Sequence, residues 1–198
     1  MKKNIAIFIS GRGSNMTALL KNTKDGILKD LCRVEVVFSN KPDAAGLKTA
    51  EKFNIPTAVI ESKAKKREKF DQEVVDLLKK FNLDYIVLAG YMRILSPVFI
   101  SAYRNKIINI HPADTSEFKG IGAYEWAFEN KKDFTKITVH FVDEGVDTGP
   151  VIGKQVVDLR DCQTLEDIEK LGLAAEHAFY SEALRRVFSG EYSLHEGS

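Results

Sequence analysis

Two short stretches place polar residues where a buried strand should end. In "KIINIHPAD", residues 106–114, an apolar run closes on Asn109 and His111, and Pro112 then stops both strand and ladder. In "HFVDEGVDTGP", a second apolar run ends on His140, Asp143, Glu144 and Asp147, with Gly145 and Gly149 marking a loop. An amide and an imidazole can donate to an oxyanion, and a carboxylate near the imidazole favours its charged form and can move protons. Plainer readings exist: an isolated His near a strand end is more often structural, and acids in a loop are more often simply solvated. No Ser or Cys stands beside a base in a hydrolase pattern, and no HExxH or paired-ligand spacing suggests a metal. These parts fit acyl transfer by direct attack of a substrate nucleophile, with no covalent enzyme intermediate.

A third stretch, "ISGRGSNMTALL", puts Ser10-Gly11-Arg12-Gly13-Ser14-Asn15 between an apolar strand and a helical pattern. Backbone N–H groups at such a helix start can hold a phosphate, with glycines permitting close approach. The dinucleotide fingerprint is incomplete, because Met16 stands where the third Gly belongs, and no Gly-Lys-Ser/Thr completes a Walker A loop. A lone phosphomonoester fits better than a pyrophosphate; the alternative is a tight turn with an N-cap at Ser14 or Asn15.

The elements that must position these residues alternate in type. Strands are expected at 4–9, 34–38, 57–60, 85–89, 106–110, 136–142 and 151–158. Helices are expected near 14–22, 43–53, 66–81, 97–103 and 121–129, with a closing helix over about 164–189. In "REKFDQEVVDLLKKF" the residues Phe70, Val74, Leu77, Leu78 and Phe81 recur at helical spacing, which marks a cover helix. The pattern predicts an α/β fold, a doubly wound, mostly parallel seven-stranded sheet with helices on both faces. Ligands of such sheets sit at the carboxyl ends of the strands, near the point where strand order reverses. The link "DEGVDTGP" is too short for a crossover helix, so the last two strands should be joined by an irregular loop or hairpin.

The totals fit this picture. The 198 residues are 44% apolar and 29% charged, as in one soluble domain spanning 1–198. Lys plus Arg number 29 against 28 Asp plus Glu, so no global field recruits nucleic acid or an anionic membrane. Cys32 and Cys162 form no CxxC, which fits a reducing cytoplasm. The apolar runs are strand-sized and too short to span a membrane, and the opening "MKKNIAIFIS" reads as the first strand rather than a signal peptide.

Taken together, "ISGRGSN", "VFSNKPDAAGL", "LAGYMRILSP", "NIHP", "VHFVDEGVDTGPVI" and "EHAFY" resemble, in this order, the motifs of the phosphoribosylglycinamide formyltransferases, folate-dependent enzymes of purine biosynthesis. The resemblance covers nearly the whole chain. It implies a Rossmann-like formyltransferase fold, with an N-terminal half that binds phosphate and ribonucleotide and a C-terminal half that binds folate and catalyses. It implies Asn109, His111 and Asp147 as the catalytic trio. Gly13, Ser14 and Asn15 would bind the ribonucleotide phosphate, and Glu176 the ribose. Arg67, Met92, Arg93, Ile94, Leu95, Asn109, Asp143, Glu144, Gly145, Val146 and Asp147 would line the folate pocket. The amine of glycinamide ribonucleotide would attack the formyl carbon of 10-formyltetrahydrofolate, a co-substrate, with no metal. Asp147 would hold His111 protonated while a water relays protons. The partners are then two small molecules, with no nucleic acid and no membrane, for a monomer or homodimer.

The chain departs from the family after Pro112, where many members read an apolar "SLLP" followed by a basic residue and this chain reads "ADTSEFKGIG". Ligand contacts of residues 113–122 therefore do not carry over. Three other readings compete. A formyltetrahydrofolate hydrolase is expected to carry a regulatory domain ahead of the first strand, and a methionyl-tRNA formyltransferase a C-terminal tRNA-binding domain with a basic surface. A non-catalytic nucleotide- or folate-binding module would tolerate loss of His111 or Asp147.

Overall fold

The computed structural model describes residues 1–194. In chain order the elements are β1 (Lys3–Ile9), α1 (Ser14–Asp25), β2 (Cys32–Ser39), α2 (Ala45–Lys52), β3 (Thr57–Val59), α3 (Arg67–Leu78), β4 (Tyr85–Leu88), α4 (Pro97–Ala102), β5 (Ile107–His111), α5 (Ala123–Glu129), β6 (Phe134–Phe141), β7 (Val151–Asp158) and α6 (Leu165–Ser189). Among the described residues the strands form one seven-stranded sheet in the order β3-β2-β1-β4-β5-β6-β7. The first five strands run parallel, whereas β6 is antiparallel to both β5 and β7. The doubly wound α/β fold expected from the sequence is the fold observed.

The central strand shows why helices cover both faces. Successive side chains of a strand point to opposite faces, so a strand buried on both reads as a continuous apolar run. In β1, Ile5, Ile7 and Ile9 join one core with Leu19 and Leu20 of α1 and Phe179 and Leu184 of α6. Ala6 and Phe8 join the opposite core with Phe70 and Val74 of α3 and Phe99 of α4. The Phe8 ring centroid lies 4.7 Å from that of Phe38, 5.2 Å from Tyr91 and 5.7 Å from Phe99. Such pairs contribute roughly 0.5–1.5 kcal/mol each beyond their buried area.

Strand order reverses where β1 meets β4, which opens a crevice at the carboxyl ends of β1, β4 and β5. The closing helix α6 braces that edge from below. A capping box between Thr164 and Asp167 starts it, and Gly190 ends it in the left-handed conformation. From its middle, the fully buried Tyr180 shares its hydroxyl proton between the carbonyls of Leu88 (2.9 Å) and Ile108 (3.0 Å). Those carbonyls lie just before the segments that carry the candidate site.

Most element bounds shift by one to three residues from expectation, and three of the differences have a local physical reason. β5 runs through His111, because His111 still pairs with Thr138 of β6. The N-cap of α1 is Gly13, not Ser14 or Asn15, and it makes no side-chain cap bond. Helix α5 begins at Ala123 rather than 121, since Gly120 and Gly122 both have positive φ, 86° and 87°, and cannot continue a helix backwards. Among the described residues, no helix is long and apolar enough to cross a membrane.

Candidate active site

Asn109 and His111 are two residues apart on β5, so both side chains emerge on the same face of the sheet edge. The antiparallel register sets Asn109 opposite His140, and between Val139 and His140 the pairing of β6 with β7 shifts, leaving Ile152 of β7 as the extra residue of a bulge. The β6–β7 loop then folds Asp147 back over them. Asp147 itself has φ 51°, a left-handed conformation that strains most residues by roughly 1–2 kcal/mol and that Asp and Asn tolerate best.

The carboxylate of Asp147 is the hub of the cluster. Its Oδ1 lies 3.4 Å from Asn109 Nδ2 and 3.4 Å from His140 Nε2. Its Oδ2 lies 3.5 Å from His111 Nδ1 and accepts the Gly120 N–H at 2.9 Å. His111 Nε2 is 3.0 Å from the Phe118 carbonyl, which can only accept, so that nitrogen carries a proton. His140 Nδ1 likewise faces the Phe141 carbonyl at 2.8 Å.

Burial and charge compete in this cluster. Burial alone would push the Asp147 carboxyl up, but the His140 contact, the Gly120 N–H and the charge of His111 outweigh it and hold it at about 2. Asp147 is therefore an anion at neutral pH. For His111 the balance falls the other way. Burial lowers its pKa, and neither Asp147 nor the Phe118 carbonyl, which both raise it, restores the ordinary value. Asp147 thus acts to raise the imidazole pKa, while the burial of His111, only 4% exposed, acts more strongly to lower it.

A cavity of about 350 Å³ opens in front of this cluster. Asn109, His111, His140, Asp143, Gly145, Val146 and Asp147 line it on one side, and Tyr91, Met92, Arg93, Ile94 and Leu95 on the other. Its walls are mostly apolar with polar groups at one end, as suits a flat heteroaromatic ligand. Arg93 stacks its guanidinium on Phe70, 4.5 Å from the ring centroid. Of the expected folate residues, Arg67 begins α3 and Glu144 sits in the β6–β7 loop, and neither belongs to the cavity wall.

The glycine-rich turn lies at the end of β1, on the other side of the crevice. Gly13 has φ 71°, where a side chain is strained, and an added Cβ would come within 3.1 Å of Met16 and 3.3 Å of Gly46 Cα. The first helical bond runs from the Thr17 N–H to the Gly13 carbonyl, so the N–H groups of Ser14, Asn15 and Met16 precede the helical ladder. The Asn15 side chain is committed elsewhere. Its Nδ2 donates to Glu176 Oε2 at 2.7 Å, and the Tyr124 hydroxyl donates to Glu176 Oε1. Burial raises the Glu176 pKa, while those two bonds oppose the rise. What Asn15 can offer a phosphate is its backbone N–H. Its Oδ1 is buried without a partner among the described residues, ready to accept from a hydroxyl or an amine.

Several residues of the site escaped the sequence reading. His140 was visible at the end of its strand, but its place opposite Asn109 depends on an antiparallel register that no local pattern encodes. Phe118 and Gly120 come from the segment where the chain leaves the family pattern, and Tyr124 from the first turn of α5 just after it; the sequence offered no signal for them.

A seven-stranded doubly wound sheet with an amide, an imidazole and a carboxylate converging at its edge defines a class, and comparison agrees. The chain belongs to the formyl transferase family, whose model matches residues 3–184. It is 36% identical over 196 residues to the phosphoribosylglycinamide formyltransferase of Escherichia coli (strain K12), covering 98% of this chain and 92% of that protein. A crystal structure of glycinamide ribonucleotide transformylase 1 from Symbiobacterium toebii superposes with a TM-score of 0.92 at 34% identity, covering 98% and 92% of the two chains. The chain is also 40% identical over 98% of its length to a trifunctional purine biosynthetic protein of Chironomus tentans, of which it spans only 14%.

Proposed function

We propose that this protein transfers the formyl group of 10-formyltetrahydrofolate to the amine of glycinamide ribonucleotide, a step of de novo purine biosynthesis. The observation that carries the reading is the convergence of Asn109, His111 and Asp147 at the polar end of an apolar cavity. Family membership and relatives named for this substrate support it.

In this reading the amine attacks the formyl carbon and the carbonyl electrons move onto the oxygen. Asn109 Nδ2 donates to that oxyanion, and His111 does so as the imidazolium, keeping its Nε2–H on the Phe118 carbonyl and donating from Nδ1 a proton taken up from solvent. At 3.5 Å the contact between His111 Nδ1 and Asp147 is longer than an ordinary hydrogen bond, which leaves that edge of the ring available to the developing charge. The anionic Asp147 stabilises the imidazolium as it forms and, through a water, receives the amine proton that is returned to the departing folate nitrogen. The N-terminal half, through the Gly13–Asn15 turn, holds the ribonucleotide phosphate, with Glu176 reaching the ribose. The segments around Met92–Leu95 and Asp143–Asp147 hold the folate, although Arg67 and Glu144 stand outside the cavity wall. No step requires a metal. The protein then works in the cytoplasm as a monomer or homodimer on two small molecules, without nucleic acid.

The test is acceptor dependence. Tetrahydrofolate should form from 10-formyltetrahydrofolate only when glycinamide ribonucleotide is added. Release at the same rate without the amine would replace transfer by hydrolysis.

A further inference from the structure

The stretch where the chain leaves its family's pattern is buried at its root, where Ala113, Asp114 and Thr115 lie. Asp114, two residues after Pro112, has its carboxylate only 6% exposed and ringed by donors. Oδ2 accepts from Lys136 Nζ at 2.8 Å, and Oδ1 accepts from Lys154 Nζ, from the Ser116 N–H at 3.0 Å and from Ser116 Oγ at 2.7 Å. Lys136 is on β6 and Lys154 on β7. Lys154 stands opposite Thr138, so the two ammonium groups leave neighbouring positions on one face of the sheet. One carboxylate bridges both. Burial would raise its pKa, but the two lysines and Ser116 outweigh that and hold it far below the usual carboxylate range.

The loop fixed at this root reaches both halves of the catalytic pair. Thr138 Oγ1 donates to the Ala113 carbonyl at 2.7 Å, pinning the residue before the bridge. The Asp114 carbonyl accepts the N–H groups of Glu117 and Phe118, each at 2.9 Å. Phe118 in turn presents its carbonyl to His111 Nε2 and lays its ring parallel to the imidazole, 7° between planes. Trp126 backs that ring at 5.2 Å. Two residues further on, the Gly120 N–H holds Asp147 Oδ2.

We infer that Asp114, clamped between Lys136 and Lys154, is a positioning residue for the formyl-transfer site: it anchors the 113–122 loop so that the Phe118 carbonyl and the Gly120 N–H orient His111 and Asp147. The clamp acts through the loop and touches no reacting atom. Losing the carboxylate leaves two half-buried ammonium groups facing one another with nothing between them, which pushes the loop root off β6 and β7. Small displacements of a reacting group are expensive in rate, so the loss should appear in kcat and much less in KM. The inference rests on the transfer reading for its kinetic arm only.

The test compares Asp114→Asn, Lys154→Met and the triple variant Asp114→Leu/Lys136→Met/Lys154→Met with the wild type, in two measurements. In the first, acceptor-dependent turnover, Asp114→Asn should lose about tenfold or more in kcat with each KM within about threefold. Lys154→Met, which keeps one half of the bridge, should lose less. The triple variant, which substitutes apolar contact for the ionic one, should regain most of the rate. The second is the NMR titration of the His111 ring, which needs no turnover and so remains decisive if the wild type transfers no formyl group. The groups facing His111 are Asp147, His140 and the Phe118 carbonyl. Since that carbonyl raises the imidazole pKa, a loosened loop should lower the midpoint in Asp114→Asn, and the triple variant should restore it. Folded Asp114→Asn or Lys154→Met protein with wild-type kcat and midpoint, only melting earlier, would overturn the inference. A folded triple variant as slow as Asp114→Asn would overturn it too.

Discussion

The two ends of the crevice are built differently. At the glycine-rich turn the polar side chains are committed to one another: Asn15 to Glu176 at 2.7 Å, and Glu176 to Tyr124, all in or near the buried layer beneath α1 and α6. At the edge of β5 and β6 the corresponding distances are 3.4–3.5 Å, and one carboxylate is shared among an amide and two imidazoles. Short, closed bonds suit a surface that must hold a substrate in one pose. Long, shared contacts suit groups whose partners change as charge develops, since a donor already satisfied at optimal distance gains little from an oxyanion. In the proposed function the molecule separates holding from reacting, and places each at the end of a different strand.

That separation can be broken by substitution. The largest effect belongs to the reacting end: His111→Ala or Asp147→Asn should each lower kcat by about 10² or more, as expected for a lost acid-base or oxyanion group. Steady-state rates near wild type in either variant would remove the assigned roles. A smaller effect, and of another kind, belongs to the holding end. Gly13→Val forces a branched side chain into φ 71° against Met16 and Gly46. It should raise the KM for the ribonucleotide by about tenfold while kcat moves little, and Glu176→Gln, which keeps the shape of the contact, should do the same to a lesser degree. A rise confined to the KM for the folate would put the phosphate elsewhere.

The fold was largely legible because alternation of strand-sized apolar runs with amphipathic helices leaves few topologies open, and β1 through β5 obey it. The Gly13 turn and the pair Asn109 and His111 were legible for the same reason, each lying within one element or at its end. What the sequence could not supply was pairing across the sheet. His140 enters the cluster through the β5–β6 register, and Asp114 finds Lys136 and Lys154 across 22 and 40 residues of chain. Nothing in the polar "ADTSEFKGIG" marks Asp114 as buried, yet it is only 5% exposed, because two distant lysines make its burial tolerable. His111 shows a related limit: the carboxylate that favours its charge was visible in the sequence, but the burial that opposes it was not.

In the proposed mechanism His111 and Asp147 act as one unit on one developing charge. This is tested most directly by kcat for the double variant His111→Ala/Asp147→Asn beside the two single variants, at saturating concentrations of both substrates. The double variant should lose little more than the worse single one, because removing either partner disables the unit. Losses that multiply, to about 10⁴ or more, would show two independent contributions and contradict it.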